Sequence, residues 1–209
     1  MENVHRKCVI FLVAQNHAGK TRIANTLKAL YDLFEHYSIR EIITNRQQAA
    51  TNDAPLEDRT QISKFSEFTK EKECPNTFIL EALHRFHQSG NRICIIESLR
   101  CPGEGKWVTG EEIKTLFPDT DFLVIGLIAK EDERLRRFLD PSRTDNIAKD
   151  LTIEKFQEHE EMVNHGTYPW EQNVEETLRY AHYTIDNNDG MFDETITKLK
   201  NAIASIYTP

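Results

Sequence analysis

Residues 8–28, CVIFLVAQNHAGKTRIANTLK, constrain the fold of this chain more than any other stretch. They begin with a continuous apolar run, which is typical of a parallel strand buried on both faces. A short turn ending in Gly19-Lys20-Thr21 follows, and then a helical pattern. A strand, turn and helix in this order form a phosphate-binding loop, because the helix N-terminus and the lysine both face an anion. The stretch therefore predicts a nucleoside triphosphate site.

The loop departs from the usual pattern G-x-x-x-x-G-K-[ST] at two positions. Ala14 stands at the first glycine, and His17 stands where a second glycine is common. Ala14 is harmless at negative φ, but costs about 1–2 kcal/mol if the turn requires a left-handed residue. The predicted nucleotide-binding residues are the loop and the first helical turn: Ala14, Gln15, Asn16, His17, Ala18, Gly19, Lys20, Thr21 and Arg22. The hydroxyl of Thr21 is also a predicted Mg²⁺ ligand.

Composition narrows the class of protein. A chain of 209 residues with 39% apolar content can bury one substantial core, so we expect a single domain over 1–209. The net charge of −8 argues against nucleic acid as a partner, because binding its phosphates requires clustered Lys and Arg. No apolar stretch has membrane-spanning length, so we expect a cytoplasmic protein without membrane contact. The four cysteines have neither zinc nor redox spacing, which favours reduced structural thiols.

Further strands alternate with helical patterns along the chain. Apolar runs at 92–97, 122–128 and 182–186 have the length and composition of strands. Helical patterns lie between these runs and follow the last one. This alternation predicts an α/β fold with a doubly wound parallel sheet.

Between these elements the sequence predicts a Pro- and Gly-rich loop over 102–105 and a helix near 171–181. Two more polar regions, about 40–75 and about 140–170, are predicted to be mobile attachments to the core. Ligands of such sheets bind at the carboxyl ends of the strands, where both attachments could close over them.

An acid and a base follow the second predicted core strand. Glu97 ends that strand and Arg100 comes three residues later, at the carboxyl edge of the sheet. A carboxylate there can hold Mg²⁺ or its waters, and a guanidinium can hold a phosphate. The alternative is that the two side chains pair with each other or with solvent.

Several other arginines fall near the predicted site edges although the chain is acidic. They suit phosphoryl transfer, which depends mainly on positioning and charge neutralisation. For each arginine alone, a solvated helix face is an equally good interpretation. The group consists of Arg40, Arg59, Arg134, Arg136, Arg137 and Arg143.

Taken together, these segments resemble the P-loop kinases of the dephospho-CoA kinase and nucleoside monophosphate kinase group. The resemblance covers nearly the whole chain and rests on seven segments in order: LVAQNHAGKT, HYSIRE, EDRTQ, IIESLRCPGE, ERLRRFLDPSRTDN, TIEKFQEHEE and AHYTIDNNDG. It implies a three-layer α/β/α P-loop NTPase fold with a five-stranded parallel sheet. It also implies a helical acceptor-binding insertion at about 40–75 and a lid at about 132–170.

The resemblance also implies roles for individual residues. Lys20, with Gly19 and Thr21, would bind the triphosphate and Mg²⁺, and Glu97 would be the second metal residue. Residues 187–190 would lie near the donor base. The remaining implied positions are Asn188 and Gly190 in that loop, Arg40, Arg59 and Arg100 on the acceptor side, and Arg134, Arg137 and Arg143 in the lid.

We therefore expect a phosphotransferase that uses ATP and Mg²⁺ and acts on a small nucleotide-like acceptor, foremost a (deoxy)nucleoside monophosphate, with Lys20, Glu97 and Arg137 as its catalytic residues. A dephospho-CoA kinase-like enzyme is the alternative, with Glu97 as the base for a hydroxyl acceptor. Ala14, His17 and Pro141, the last at a common lid-arginine position, motivate a different class: a nucleotide-binding sensor with weak or no transfer. The acceptor and the oligomeric state are left open by the sequence.

Overall fold

The computed structural model describes residues 6–31, 34–51, 56, 59–140 and 151–206. Within these ranges, the strands form one parallel sheet in the order β2-β3-β1-β4-β5. The strands are β1 (Lys7–Ala14), β2 (Phe34–Ser38), β3 (Ile93–Leu99), β4 (Thr120–Ile128) and β5 (Tyr183–Asp186). The predicted α/β fold with a five-stranded parallel sheet is confirmed.

Helices connect the strands and cover the sheet. A short 3₁₀ helix, Leu178–Tyr180, precedes β5. The α-helices are α1 (Lys20–Leu30), α2 (Ile39–Thr51), α3 (Arg59–Lys72), α4 (Thr77–Gln88), α5 (Pro102–Val108), α6 (Glu111–Leu116), α7 (Glu131–Leu139), α8 (Ile153–Met162), α9 (Val174–Thr177) and α10 (Phe192–Ala204).

The central strand β1 separates two apolar cores. Its odd-numbered side chains, including Phe11, pack with Phe78 and Phe86 of α4. Its even-numbered side chains, including Ile10, pack on the other face with Leu27 of α1 and with α10. Because β1 is buried on both faces, every position from 8 to 14 must be apolar or small, which explains the unbroken apolar run.

The strand order places a crevice at the carboxyl ends of β1 and β3. After β1 the chain passes through α1 to the edge strand β2, whereas after β3 it passes through α5 and α6 to β4 on the opposite side of β1. Connections that leave adjacent strands in opposite directions open a ligand crevice between them. The segments after β1 and β3 therefore face the same space.

One prediction of local structure is wrong and another is only partly right. Residues 102–105 belong to helix α5 and not to a loop, because Pro102 occupies the first helical turn, where its missing N–H does no harm. Glu104 then accepts hydrogen bonds from the backbone N–H groups of Arg100 and Cys101. The helical pattern predicted near 171–181 is confirmed in part, because α9 and the 3₁₀ helix together cover 174–180.

The four cysteines are unbridged. Burial and nearby carboxylates raise the pKa of the Cys8 and Cys101 thiols to about 12, so these two side chains stay protonated at neutral pH. Among the described helices, none combines the length and apolar character that crossing a bilayer requires.

Candidate functional site

The loop between β1 and α1 has the geometry of a phosphate cradle. Ala14 is the last residue of the extended strand, so the alanine introduces no left-handed strain. The left-handed positions are Gly19, with φ +94°, and His17, with φ +60°. Helix α1 starts at Lys20, which directs its N-terminus toward the crevice.

Protein donors engage the carbonyl oxygens of this loop. Asn187 Nδ2 donates to the carbonyl of Ala18 at 2.8 Å, and Arg137 Nη1 donates to that of His17 at 3.3 Å. Lys20 Nζ folds back onto the carbonyls of Ala14 and Gln15 at 3.2 and 3.4 Å. These donors offset the negative partial charge of the loop carbonyl oxygens, which would otherwise repel an anion.

The same loop is attached to helices α7 and α8. Asn16 Nδ2 donates to the backbone carbonyl of His159 at 3.0 Å. The His17 ring lies 5.1 Å from the ring of Phe138 and 6.1 Å from that of Phe156. This packing supports a histidine at a left-handed position, which histidine tolerates better than most side chains.

A carboxylate and a hydroxyl meet beside the loop. Thr21 Oγ1 lies 3.5 Å from Glu97 Oε2, as expected if both residues hold one metal ion. His36 Nε2 lies 3.6 Å from the other oxygen, Oε1. Burial raises the pKa of Glu97, but His36, Lys20 and Ser38 lower it by more, so the net pKa lies below the usual value of a glutamate. The carboxylate is therefore ionised at neutral pH.

A bulge in β3 shapes the floor of the crevice. Leu12 of β1 pairs with Glu97, but the next residue pairs with Leu99, so Ser98 is skipped. Ser98 has φ +80° and lies at the lining of the crevice. Bulges of this kind redirect side chains next to functional sites.

Arg100 and Arg40 approach the same space from β3 and α2. Arg100 Nη1 donates to Gln172 Oε1 at 3.1 Å, and its carbonyl accepts from the N–H of Asn173 at 2.8 Å. Burial is the largest influence on the Arg100 guanidinium and lowers its pKa; Cys101 and Glu97 raise the pKa, and Arg40 lowers it by less. Both arginines line the crevice, so their positive charges could stabilise an anion there. Arg100 therefore does not simply pair with Glu97, which was the alternative interpretation.

The predicted lid arginines have different environments. Arg137 contacts Glu133 through Nε at 2.7 Å and the carbonyl of Asn187 through Nη2 at 2.6 Å, beside the phosphate loop. Arg134 is buried, pairs with Glu160, and donates through Nε to the carbonyl of Ala129 at 3.2 Å. It does not reach the crevice.

The crevice beside the phosphate loop is a cavity of about 920 Å³, within the range of small-molecule sites. Asn188, whose Oδ1 accepts from the backbone N–H of Lys130 at 2.8 Å, and Gly190 form one end of it. There the Arg22 guanidinium lies 3.8 Å from the centre of the Phe192 ring. The cavity also takes in Gly19, Lys20, Thr21, Arg40, Glu97, Arg100 and Arg137.

A second, smaller cavity of about 90 Å³ adjoins the first. The two share Arg40, Ser98 and Arg100, which form their junction. Arg59 begins α3, but its side chain is not described, and Arg143 and Pro141 lie outside the described residues.

Comparisons with known proteins address the fold. No protein-family model matches the sequence, and no curated protein matches it either. The TT1252 structure from Thermus thermophilus is 12% identical, with a TM-score of 0.57, covering 98% of this chain and 100% of that one. Shikimate kinase from Bacteroides thetaiotaomicron is 13% identical, with a TM-score of 0.50, covering 94% of this chain and 98% of that one. This chain shares the fold of these two solved structures.

Sequence reasoning missed two groups at the site. His36 contacts Glu97, and the buried pair Lys70–Glu104 adjoins Arg100, whose backbone N–H donates to Glu104 Oε2 at 3.2 Å. Asn187, in the loop that the resemblance placed near the donor base, supports the phosphate loop. A signal for His36 exists. His36 and Ser38 lie two positions apart, on the same face of β2, and Ser38 is the register partner of Glu97 on β3. That register was not readable from the sequence.

The lowered pKa of Glu97 predicts a pH-dependent contribution to stability. Because the folded-state pKa lies below the unfolded value of roughly 4.3, ionised Glu97 stabilises the fold above that value, and the stabilisation is lost as pH falls through the folded pKa. The urea midpoint of Glu97→Gln should lie below that of the original chain at pH 7, and the gap should narrow as the pH falls below the unfolded value and through the folded pKa. Exposed Glu112→Gln is the control, and a gap that stays constant with pH would contradict the assignment.

Proposed function

We propose that this protein is a kinase that uses ATP and Mg²⁺ to phosphorylate the phosphate group of a nucleoside monophosphate. The observation that carries this proposal is the pair of joined cavities, with a phosphate cradle in one and two arginines at their junction. Donor and acceptor phosphates would meet at that junction.

The donor side offers groups suited to a triphosphate. Lys20 and the N-terminus of α1 supply positive charge, and the loop 187–190 would adjoin the base. Thr21 and Glu97 fit Mg²⁺, because both offer oxygen ligands and Glu97 is held ionised. When bound, Mg²⁺ would neutralise charge on the donor phosphates.

The polarity of the acceptor side supports a phosphate acceptor. Arg40 and Arg100 stand at the junction, where an anionic group would be held. Lys70 Nζ, also at the small cavity, is paired with Glu104 Oε1 at 2.5 Å, so this pair adds no net charge to the site.

The catalytic groups also suit a phosphate nucleophile. A nucleoside monophosphate attacks through its own ionised phosphate and needs no strong base. A dephospho-CoA hydroxyl would need one, and the lowered pKa of Glu97 makes this carboxylate a better metal ligand than a base. Arg137 adjoins the phosphate loop and would offset charge on the moving phosphoryl group during in-line transfer.

A turnover panel tests the proposal. The purified chain, with ATP and Mg²⁺, is offered each ribo- and deoxynucleoside monophosphate, dephospho-CoA and shikimate, and ADP is measured. We expect ADP to form only with monophosphates. ADP formed with dephospho-CoA or shikimate alone would overturn the proposed acceptor, and ATP binding without product from any acceptor would favour the sensor.

A further inference from the structure

The guanidinium of Arg100 has one hydrogen-bond partner in the described part of the chain, and that partner is neutral. Its Nη1 donates to Gln172 Oε1 at 3.1 Å, and no carboxylate among the described residues forms an ion pair with it. A guanidinium has five N–H donors, so most of them remain. Arg100 lines both cavities. A partly buried cation with a neutral partner is stabilised when an anion binds beside it.

The two carboxylates nearest to Arg100 already have partners of their own. Glu104 Oε1 is paired with Lys70 Nζ at 2.5 Å, and Glu97 Oε2 lies 3.5 Å from Thr21 Oγ1. Both carboxylates raise the pKa of Arg100, although burial has the larger effect and lowers it. The arginine is therefore charged, and neither carboxylate neutralises it by contact.

Gln172 is oriented by the chain of hydrogen bonds in which it stands. A guanidinium can only donate, so the amide oxygen of Gln172 must face Arg100 and its Nε2 must face away. Nε2 donates to Ser63 Oγ of α3 at 2.6 Å, and Ser63 donates to Glu67 Oε1 at 3.0 Å. Every donor points the same way, from Arg100 toward Glu67. The carboxylate at the outer end therefore polarises the contact without touching Arg100.

The main chain around Gln172 is fixed as well. Its carbonyl accepts from the N–H of Gly166 at 2.9 Å, and the N–H of the next residue, Asn173, donates to the carbonyl of Arg100 at 2.8 Å. The segment after α8 is thus joined to Arg100 through both backbone and side chain. A side chain that is held at both ends keeps its rotamer, which is what positioning a functional group requires.

We propose that Gln172 is a positioning residue of the acceptor site, which directs the Arg100 guanidinium toward the junction through a neutral contact and leaves its charge for the acceptor phosphate. Arg40 lines the same junction and adds to the positive charge there. A carboxylate at position 172 would accept the same hydrogen bond, but it would neutralise Arg100 and repel the phosphate. The inference rests on the proposed function and assigns a further residue to the same site.

Two substitutions of Gln172 separate charge from geometry. Gln172→Met removes the hydrogen bond and adds no charge, so KM for the monophosphate should rise by about 3- to 10-fold. Gln172→Glu keeps an oxygen for Arg100 but adds a negative charge, so KM should rise by at least about thirtyfold. In both variants kcat and the KM for ATP should stay within about twofold, because the lost interaction binds the acceptor alone. A purely structural role predicts the reverse order, since Gln172→Glu preserves the contact.

Gln88→Glu is the matched control. Gln88 is exposed and ends α4 before β3 begins, at the edge of the sheet opposite the crevice, so the same added charge should change none of these constants. Ser63→Ala removes the outer partner of Gln172 and should raise KM for the monophosphate by about threefold. The inference is wrong, and the kinase stands, if Gln172→Glu is milder than Gln172→Met, or if Gln172→Met and Ser63→Ala both leave this KM unchanged.

Calorimetry of monophosphate binding covers the opposite case. The probes are AMP, GMP, CMP, UMP and dTMP, each titrated with ADP and Mg²⁺ present to occupy the donor side. Binding that Gln172→Glu weakens more than Gln172→Met, with no product in the turnover panel, would uphold the positioning role and overturn the kinase. No binding of any probe to the folded, unsubstituted chain would overturn both.

Discussion

Lys20→Ala is expected to lower kcat by about a thousandfold, because the ammonium stabilises charge that develops on the transferred phosphoryl group. In this chain Lys20 Nζ lies against the carbonyls of Ala14 and Gln15, within the crevice that also holds Glu97. Steady-state turnover with ATP, Mg²⁺ and the best monophosphate measures the loss. Circular dichroism and the melting temperature should be unchanged if the fold persists.

The matched control for this prediction is Lys28→Ala. Lys28 lies in the last turn of the same helix α1, is exposed, and is remote from the cavity. Its replacement should leave kcat within about twofold of the original value, because surface substitutions away from a site have small effects. If both variants retain turnover, the loop after β1 does not bind the transferred phosphate.

Gly19→Ala should have the largest effect on stability, about 2–4 kcal/mol, together with loss of nucleotide binding. Gly19 has φ +94°, and a Cβ there would lie 2.6 Å from Asn187 Nδ2. That amide donates to the Ala18 carbonyl at 2.8 Å, so moving it breaks the link between the phosphate loop and the segment after β5. Urea unfolding and ATP titration measure the two losses.

Gly90→Ala separates the two causes of that loss. Gly90 has φ +77°, but nothing lies within 4 Å of a Cβ built there, so it reports left-handed strain alone. We expect it to cost about 1–2 kcal/mol and to leave ATP binding unchanged. Equal losses in the two variants would show that the Asn187 contact contributes nothing.

The sequence predicted the fold well where one strong local pattern determines an element. The run ending at Ala14 marks a strand buried on both faces, and the Gly19-Lys20-Thr21 turn marks the helix that follows. Helix α5 was missed because its glycines suggested a loop, whereas packing decides there: a Cβ at Gly105 would lie 2.7 Å from the ring of Tyr180.

The candidate site was less predictable because its contacts join distant positions. Lys70 and Glu104 lie on different helices, and no local pattern links them. The bulge that turns Ser98 into the crevice depends on the register of β1 against β3. Arg134 and Arg137 lie about one turn apart on α7. The packing of α7 against α8 decides which of them is buried, and the sequence does not show that packing.

The central claim is that the loop between β1 and α1 seats a nucleoside triphosphate, and calorimetric titration with ATP and Mg²⁺ tests it most directly. The account predicts saturable binding at one site per chain, at least about tenfold weaker in Lys20→Ala, which loses one charge-assisted contact. The absence of binding heat across several temperatures for the folded, unsubstituted chain would contradict it.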